Sequence, residues 1–352
     1  MLLDKFKVLS PKFVCKPNLF IFVDISVISQ PDKDIFCILF STCKNDSGIV
    51  PNGLLSKITF VYAYDGEKWS TPLSLAYEFE SKGWDVNIVS IGSNRTGQYF
   101  DDNIKDWLSK EDDSNIVLFM DWGRFDSPEL DKNKLPKAFW VQESGDDPQN
   151  FENNYPKSER FHMTLSPDYE SAQEYKKRGT NAYWWTHFAD TRVQCPLEEI
   201  DNEFIAVTTR GMGGSQFLDT ITAHSAGSIG NKNGMESDEH TQFLNSGMMV
   251  LQHSRWGEIT RRIFEGMACK KMVLTDRLNK SKRLDELFVD GEDIVYYKDM
   301  IDCINKMNKY ADDNKERERI AENGYRKVLD NHTQKQRVDF IINKYEEWKN
   351  SQ

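Results

Sequence analysis

Short apolar runs alternate with stretches of helical periodicity from residue 57 onward, and this alternation restricts the fold more than any other feature of the chain. The run KITFVYAYD (57–65) precedes WSTPLSLAYEFESKGW (69–84), in which apolar residues recur at helical spacing, and DVNIVSIG (85–92) follows. A strand, a helix and a second strand in this order form a βαβ unit, which places both strands in a parallel sheet. The pattern therefore predicts an α/β domain.

The alternation continues to about residue 190 and starts again near residue 203, which predicts a second α/β domain. Further strands are predicted at NIVLFMD (115–121), KAFWVQE (137–143), HMTLSP (162–167), EFIAVTT (203–209), GMMVLQHS (247–254) and KMVLTD (271–276). The length of 352 residues also exceeds the usual size of one domain.

Four segments are predicted from these patterns. Two Rossmann-like domains occupy residues 56–195 and 196–335, and a helical segment at 336–352 packs back toward the N-terminal domain. Residues 1–55 hold short apolar runs separated by turn residues, which predicts a short β-rich prefix.

Composition restricts the partners and the location of the chain. A net charge of −11 argues against stable binding to nucleic acid. The six cysteines show neither a C-x-x-C pair nor the spacing of a zinc site, so we expect them to be reduced. We find no apolar run long enough to span a bilayer and no signal peptide, and we predict a cytoplasmic protein. A peripheral contact with a membrane and the oligomeric state are left open.

The loop TTRGMGG (208–214) follows a predicted strand of the second domain and precedes a helix. In open α/β sheets, ligands bind beyond the carboxyl ends of the strands. Gly211, Gly213 and Gly214 would let backbone N–H groups approach a phosphate, and Arg210 would add a charge-assisted contact. The alternative is a turn with a purely structural role.

The stretch RRIFEGMACKKMVLTD (261–276) contains the second group of candidates. We expect its helix to begin between Ser254 and Gly257 and to run to about residue 269. Arg262 and Glu265 are three residues apart, which places both side chains on one helical face. They either form a surface ion pair of little energetic value, or hold a ligand through the carboxylate and the guanidinium.

The order of motifs around this helix resembles the donor-binding segment of GT-B glycosyltransferases, and specifically the spore-maturation (CgeB-like) group of glycosyl transferase group 1. The shared elements are R-x-F-E, a following A-C, a strand that ends in T-D, E-L-F, and G-E-D-I-V-Y-Y, which is similar to the family's G-E-E-I-V-x-Y. The resemblance covers roughly residues 200–345. It implies a GT-B fold, in which two Rossmann-like domains face a cleft.

The resemblance also implies roles for individual residues. Glu265 would hold the ribose of a nucleotide diphosphate sugar, and Arg262 would contact the diphosphate. Thr275 and Asp276 would form the strand end behind them. Asn231 lies in the loop NKNGMESD, where the nucleoside is expected.

Two positions depart from the family pattern. Retaining families carry a second glutamate eight residues before the first, where this chain has Gly257. Retention of stereochemistry therefore does not follow from the resemblance. Lys270 replaces the glycine that normally follows Cys269, so it must adopt a left-handed conformation or change the helix end.

The N-terminal domain is expected to bind the acceptor and to supply a base. Glu143, Asp146 and Asp147 follow a predicted strand in WVQESGDDPQN (140–150), and any one of them could remove a hydroxyl proton. A solvated acidic turn is the alternative. Lower-ranked cleft residues are Asp65, Asp121, His187, Trp184 and Trp185, the last three of which also fit purely structural roles.

We expect neither a metal nor a resident cofactor, because the resemblance implies that a helix dipole and basic side chains stabilise the leaving diphosphate. Arg210 and Arg262 are the first candidates, and Arg261 and Lys282 the second. The predicted activity is transfer of a sugar from a UDP or GDP sugar to a hydroxyl of a glycan, lipid-linked or protein acceptor. The alternatives are an epimerase, a non-catalytic protein on a degenerate transferase scaffold, and a phage-type enzyme that glycosylates modified DNA bases.

Overall fold

The computed structural model describes residues 56–352, apart from positions 68, 94–95, 111, 122, 146–149, 198–203, 208–214, 225–227, 232–234, 236 and 255. The predicted β-rich prefix at residues 1–55 therefore lies outside the described residues. In the described part, no helix has both the length and the apolar character needed to cross a bilayer.

The first domain contains a parallel sheet of six strands in the order β2-β1-β5-β6-β7-β8. Its elements are β1 (Lys57–Tyr62), α1 (Thr71–Ser81), β2 (Asp85–Ser90), β3 (Gly92–Ser93), β4 (Gln98–Tyr99), α2 (Asp102–Leu108), β5 (Ile116–Met120), β6 (Phe139–Glu143), α3 (Phe151–Ser158), β7 (Met163–Ser166), α4 (Tyr169–Lys177) and β8 (Ala182–Trp184). The short strands β3 and β4 form a separate antiparallel pair.

Helix α1 forms where the sequence combines a start signal with an apolar face. The hydroxyl of Ser70 accepts a hydrogen bond from the Leu73 N–H at the helix start, at 3.4 Å. Leu75 and Phe79 are fully buried against the sheet, and Phe79 meets Phe60 of β1 edge to face. Gly83, with φ of +82°, reverses the chain into β2.

The second domain contains a parallel sheet of five strands in the order β10-β9-β11-β12-β13. Its elements are β9 (Phe204–Val207), α5 (Ser215–His224), β10 (Ser228–Asn231), α6 (Ser237–Ser246), β11 (Gly247–Gln252), α7 (Arg261–Ala268), β12 (Met272–Asp276), α8 (Leu284–Leu287), β13 (Val295–Tyr297), α9 (Met300–Asp312) and α10 (Asn314–Asn331). Two Rossmann-like parallel sheets confirm the predicted fold class.

The last helix, α11 (Gln334–Asn350), leaves the second domain and packs on the first. Val338, Ile341 and Tyr345 are buried in the same cluster as Phe60 and Phe79. The two chain segments that connect the domains lie side by side, because Ala189 forms a parallel β-bridge with Thr333. The side chain of the buried Arg337 donates to the Thr186 carbonyl at 2.7 Å and holds α11 against this connection.

The cysteines in the described part differ in state. Cys269 and Cys303 are free and buried, and burial raises the pKa of both thiols. Cys195 is disulfide-bonded, so the prediction that all cysteines are reduced is wrong at this position.

Candidate functional site

The carboxyl ends of β11, β12 and β13 meet at one edge of the second sheet. Asp276, at the end of β12, accepts hydrogen bonds from the Ser254 backbone N–H at 2.7 Å and from its hydroxyl at 2.9 Å. His253 Nδ1 lies 2.7 Å from the hydroxyl of Tyr297, which ends β13. These contacts fix the loop that leaves β11, at the edge where open α/β sheets bind ligands.

Helix α7 begins later than its sequence pattern indicates. It starts at Arg261, so the predicted start between Ser254 and Gly257 is wrong. Gly257 has a φ of +72°, which a helix cannot contain, and Thr260 is extended at the N-cap. At this backbone conformation a glycine is favoured over a glutamate, which gives a physical reason for the departure from the family pattern.

Glu265 is buried in the middle of α7, with a relative exposure of 4%. Its Oε1 lies 3.1 Å from the Nε of Arg261, four residues earlier, and its Oε2 lies 3.9 Å from the Nδ1 of His240 on α6. The alternative of a surface ion pair with Arg262 is therefore wrong, because Glu265 is neither exposed nor paired in that way. Removing a carboxylate from water requires such partners.

Arg261 connects this glutamate to the first domain. Its guanidinium carbon lies 4.0 Å from the ring centre of Trp69 and 5.3 Å from that of Phe188. Its Nη1 also donates to the hydroxyl of Thr71, the first residue of α1. Arg261 was a second-rank candidate for the diphosphate, although its spacing of four residues from Glu265 is that of a helical ion pair.

The other donor-site candidates are distributed around this pair. Arg262 is half-buried and follows Arg261 in the first turn of α7, while Thr275 is buried at the end of β12 beside Asp276. Asn231 ends β10, and the described part covers its backbone only. Arg210, Gly211, Gly213 and Gly214 lie outside the described residues. The roles predicted for all of these residues stay predictions.

Lys270 adopts the first of the two conformations predicted for it. Its φ is +57°, and the N–H groups of Lys270 and Lys271 donate to the carbonyls of Met267 at 2.8 Å and Gly266 at 3.1 Å. These two bonds form a Schellman cap with a lysine in the position that favours glycine. The Nζ of Lys270 lies 2.7 Å from a carboxylate oxygen of Glu322 on α10.

Lys282 binds the other domain. Its Nζ lies 2.8 Å from Asp168 and 2.5 Å from Glu170, at the start of α4 in the first domain. Burial opposes the charged ammonium, but the hydrogen bonds to the two carboxylates outweigh it and raise the pKa of Lys282. In this arrangement Lys282 joins the domains. The contacts therefore do not favour the prediction that Lys282 stabilises the leaving diphosphate.

Of the predicted base candidates, Glu143 lies in the described part of the chain, and Asp146 and Asp147 lie outside it. Glu143 ends β6 with an exposure of 7%. Burial, and to a smaller extent the charge of Glu143, raise the pKa of Tyr175 on α4. Glu143 is therefore a nearly buried carboxylate at a strand end, and its role as a base stays a prediction.

The lower-ranked residues of the first domain have structural contacts. Asp121 is buried, and its Oδ2 lies 3.6 Å from the Nζ of Lys157. The same oxygen accepts a hydrogen bond from the Phe125 N–H at 2.9 Å. Trp185 is part of the core, and Trp184 donates to the carbonyl of Pro167 at 3.0 Å. The core position is confirmed for Trp185, whereas Trp184 is half-buried at the margin of the second domain's core. For Asp121 these contacts favour a structural role.

His187 and Asp65 complete the lower-ranked set. The carbonyl of His187 accepts a hydrogen bond from Arg337 at 3.0 Å, which places the residue in the connection between the domains. The Asp65 N–H donates to the carboxylate of Glu67 at 2.8 Å in the turn after β1. Within the described residues, no three His, Cys, Asp or Glu side chains form a group suited to a metal ion.

Comparison with known proteins agrees with this architecture. Residues 213–343 match a family described as glycosyl transferase-like. No match was found among curated proteins. The match does not distinguish the spore-maturation (CgeB-like) group, which stays a prediction.

Several solved structures share the fold over most of their length. Sucrose-phosphate synthase from Thermosynechococcus elongatus superposes with a TM-score of 0.64 at 8% identity, over 84% of this chain and 100% of that chain. HepE from Anabaena, in complex with UDP and glucose, gives 0.63 at 12% identity over 83% and 100%. A glycosyltransferase from Rickettsia africae gives 0.61 at 13% identity over 83% and 98%.

At such identities the structural likeness establishes the fold alone, and the family match identifies residues 213–343 as a glycosyl transferase-like segment. The chain has the GT-B fold, and its residues 213–343 match the glycosyl transferase-like family.

Proposed function

We propose that the chain transfers a sugar from a UDP sugar to a hydroxyl group of an acceptor, with the donor bound to the second domain. The observation that carries this proposal is Glu265. A carboxylate 4% exposed, held between Arg261 and His240 beside the ligand-binding edge of a parallel sheet, is well placed to accept hydrogen bonds from a ribose diol.

UDP is favoured over GDP because a protein of the same fold, HepE, has been solved with UDP and with UDP-glucose. The diphosphate would meet the half-buried Arg262 at the start of α7, together with the positive end of that helix. Arg210 and the glycines at 211, 213 and 214 would contribute from the loop after β9.

The acceptor would bind against the first domain. Glu143 is the described base candidate, and Asp146 and Asp147 follow it in the chain. A carboxylate at the end of a strand of the first sheet can accept the proton of an acceptor hydroxyl. A direct displacement with one base inverts the configuration of the transferred sugar, and Gly257 in place of a second glutamate agrees with that outcome.

Metal independence is part of the proposal. Arg262 and the α7 dipole would neutralise the leaving diphosphate without a divalent ion. Transfer that persists in the presence of a strong chelator would support this part. Loss of transfer that Mg²⁺ or Mn²⁺ restores would contradict it.

Calorimetric titration of UDP into the Glu265→Ala variant tests the donor site. A hydrogen bond to a charged group contributes about 1.5–3 kcal/mol, so we expect the Kd to rise about ten- to a hundredfold. Glu318→Ala, at an exposed position on α10 of the same domain, is the matched control and should bind UDP as the wild type does. An unchanged Kd for Glu265→Ala would contradict the role of Glu265 in binding the donor.

The alternatives differ in the product that forms from a UDP sugar. An epimerase would return an isomerised sugar nucleotide, whereas a transferase releases UDP and glycosylates an acceptor. A non-catalytic scaffold protein would release nothing. An enzyme that glycosylates modified DNA bases would require DNA as its acceptor, which the net charge of −11 disfavours.

A further inference from the structure

Arg261 belongs to the second domain, but several residues that contact its side chain lie in the first domain or in the connection between the domains. It is the first residue of α7, and its side chain is 16% exposed. Trp69 and Thr71, which contact the guanidinium, flank the N-cap of α1 in the first domain. Phe188, on another side of the guanidinium, lies in the chain that connects the domains. One arginine therefore contacts both domains and the connection between them.

The same side chain holds the carboxylate of Glu265. The Nε–Oε1 distance is 3.1 Å, and the carboxylate side chain is 5% exposed. A buried carboxylate without a cationic partner is strongly disfavoured, so the orientation of Glu265 depends on where Arg261 lies. The planar guanidinium is in turn oriented by stacking on Trp69 and by the hydrogen bond to Thr71.

We propose that Arg261 is a positioning residue that couples the approach of the first domain to the orientation of Glu265. When the segment at Trp69 and Thr71 packs on the guanidinium, Arg261 aligns the carboxylate for the nucleotide. When that segment withdraws, the alignment is lost. This inference rests on the proposed role of Glu265 in holding the donor ribose.

The consequence is a reciprocal linkage between donor binding and domain closure. If closure improves the affinity for the nucleotide, then the nucleotide must favour closure by the same factor. Trp69 would then influence the affinity for UDP from the opposite domain through its contact with Arg261. A direct contact of Arg261 with the diphosphate would produce a different pattern of mutant effects.

A double-mutant cycle on the Kd of UDP separates these cases. The single variants are Trp69→Leu, Arg261→Gln and Glu265→Gln. The double variants combine Trp69→Leu or Arg261→Gln with Glu265→Gln. Leucine keeps the apolar bulk of Trp69 but removes the ring face. We expect Trp69→Leu and Arg261→Gln each to raise the Kd about tenfold in the wild-type background. In the Glu265→Gln background neither should raise it further.

Equal effects of Arg261→Gln with and without Glu265 would overturn the proposal, because they would mean that Arg261 acts on the nucleotide directly. A wild-type Kd for Trp69→Leu would also overturn it. Thermal unfolding of each variant checks that the chain is folded. If Arg261→Gln does not fold, Trp69→Leu and Thr71→Val complete the same cycle from the first domain.

The result for Glu265→Gln alone distinguishes the two proposals. A wild-type Kd for this variant contradicts the donor site and, with it, the coupling. A raised Kd for Glu265→Gln together with no effect of Trp69→Leu contradicts the coupling only. Small-angle scattering gives an independent readout, because UDP should compact the wild-type chain more than it compacts Trp69→Leu.

Discussion

Lys282 and Asp168 join the two domains through a buried ion pair. The Nζ of Lys282, in the segment after β12, lies 2.8 Å from Oδ2 of Asp168, and the two side chains are 12% and 6% exposed. Asp168 also caps α4 by accepting a hydrogen bond from the Ser171 N–H at 2.9 Å. A single carboxylate therefore begins a helix in one domain and holds the other domain against it.

Replacement of Lys282 by Met should destabilise the chain. The change leaves the carboxylate of Asp168 largely buried without its cation, and we expect a loss of about 1–2 kcal/mol, between the values for exposed and for fully buried pairs. Urea unfolding followed by tryptophan fluorescence measures it. Lys177→Met, at a pair with Glu174 in which the lysine is 78% exposed, is the control and should change the midpoint little. Equal midpoints for the two variants would contradict the interdomain role.

Replacement of Lys270 by Gly should stabilise the chain. The left-handed conformation of Lys270 costs a non-glycine residue about 1 kcal/mol, and the partly exposed pair with Glu322 returns only a fraction of that. Lys270→Ala removes the pair but keeps the Cβ, so it should not stabilise. Urea midpoints of the three proteins measure the difference, and a Lys270→Gly midpoint at or below that of Lys270→Ala would refute the explanation.

Protonation of His332 should destabilise the fold in mild acid. The ring packs against Phe264 and Phe288, with ring centres 5.3 Å and 5.4 Å away. Burial first, and then the charges of Arg337 and Lys327, lower the pKa of His332 to about 3. As the pH falls, His332 is therefore protonated near pH 6.5 in the unfolded chain, but only near pH 3 in the folded chain. The stabilisation is complete above that pH and falls by about 1.4 kcal/mol per pH unit on acidification toward pH 3.

His332→Asn tests this dependence, because the amide oxygen can still accept a hydrogen bond from Arg337 while the group no longer titrates. The free energy of unfolding, measured between pH 7 and pH 4.5, should change less steeply in this variant than in the wild type. His224→Asn, at an exposed position at the end of α5, should keep the wild-type slope. A wild-type slope for His332→Asn would assign the acid sensitivity to other groups.

The sequence was sufficient to predict the fold because parallel sheets leave a clear pattern. Buried strands such as Ile116–Met120 appear as continuous apolar runs, and Gly83 ends α1 where the helical spacing stops. The start of α7 was misplaced because residues 254–260 contain no proline, and a single glycine permits a positive φ without requiring it.

The candidate site was predictable only in part, because some of its contacts join residues that are far apart in the chain. Helical spacing led to the prediction that Glu265 pairs with Arg262, three residues earlier, although Arg261, four residues earlier, is equally within reach on a helix. The choice of Arg261 over Arg262 depends on Trp69 and Thr71, which reach the guanidinium from the other domain. Contacts between residues so far apart in the chain leave no periodic signal.

We infer that the chain transfers sugar from a UDP sugar bound at Glu265. The most direct test is the release of UDP from a panel of UDP sugars, with glycan and other hydroxyl acceptors, by the wild type, Glu265→Gln and Glu318→Gln. The account predicts UDP release that an acceptor accelerates, retained in Glu318→Gln and reduced at least about tenfold in Glu265→Gln. Equal release by the wild type and Glu265→Gln would contradict it, as would release by none of the three proteins with any UDP sugar.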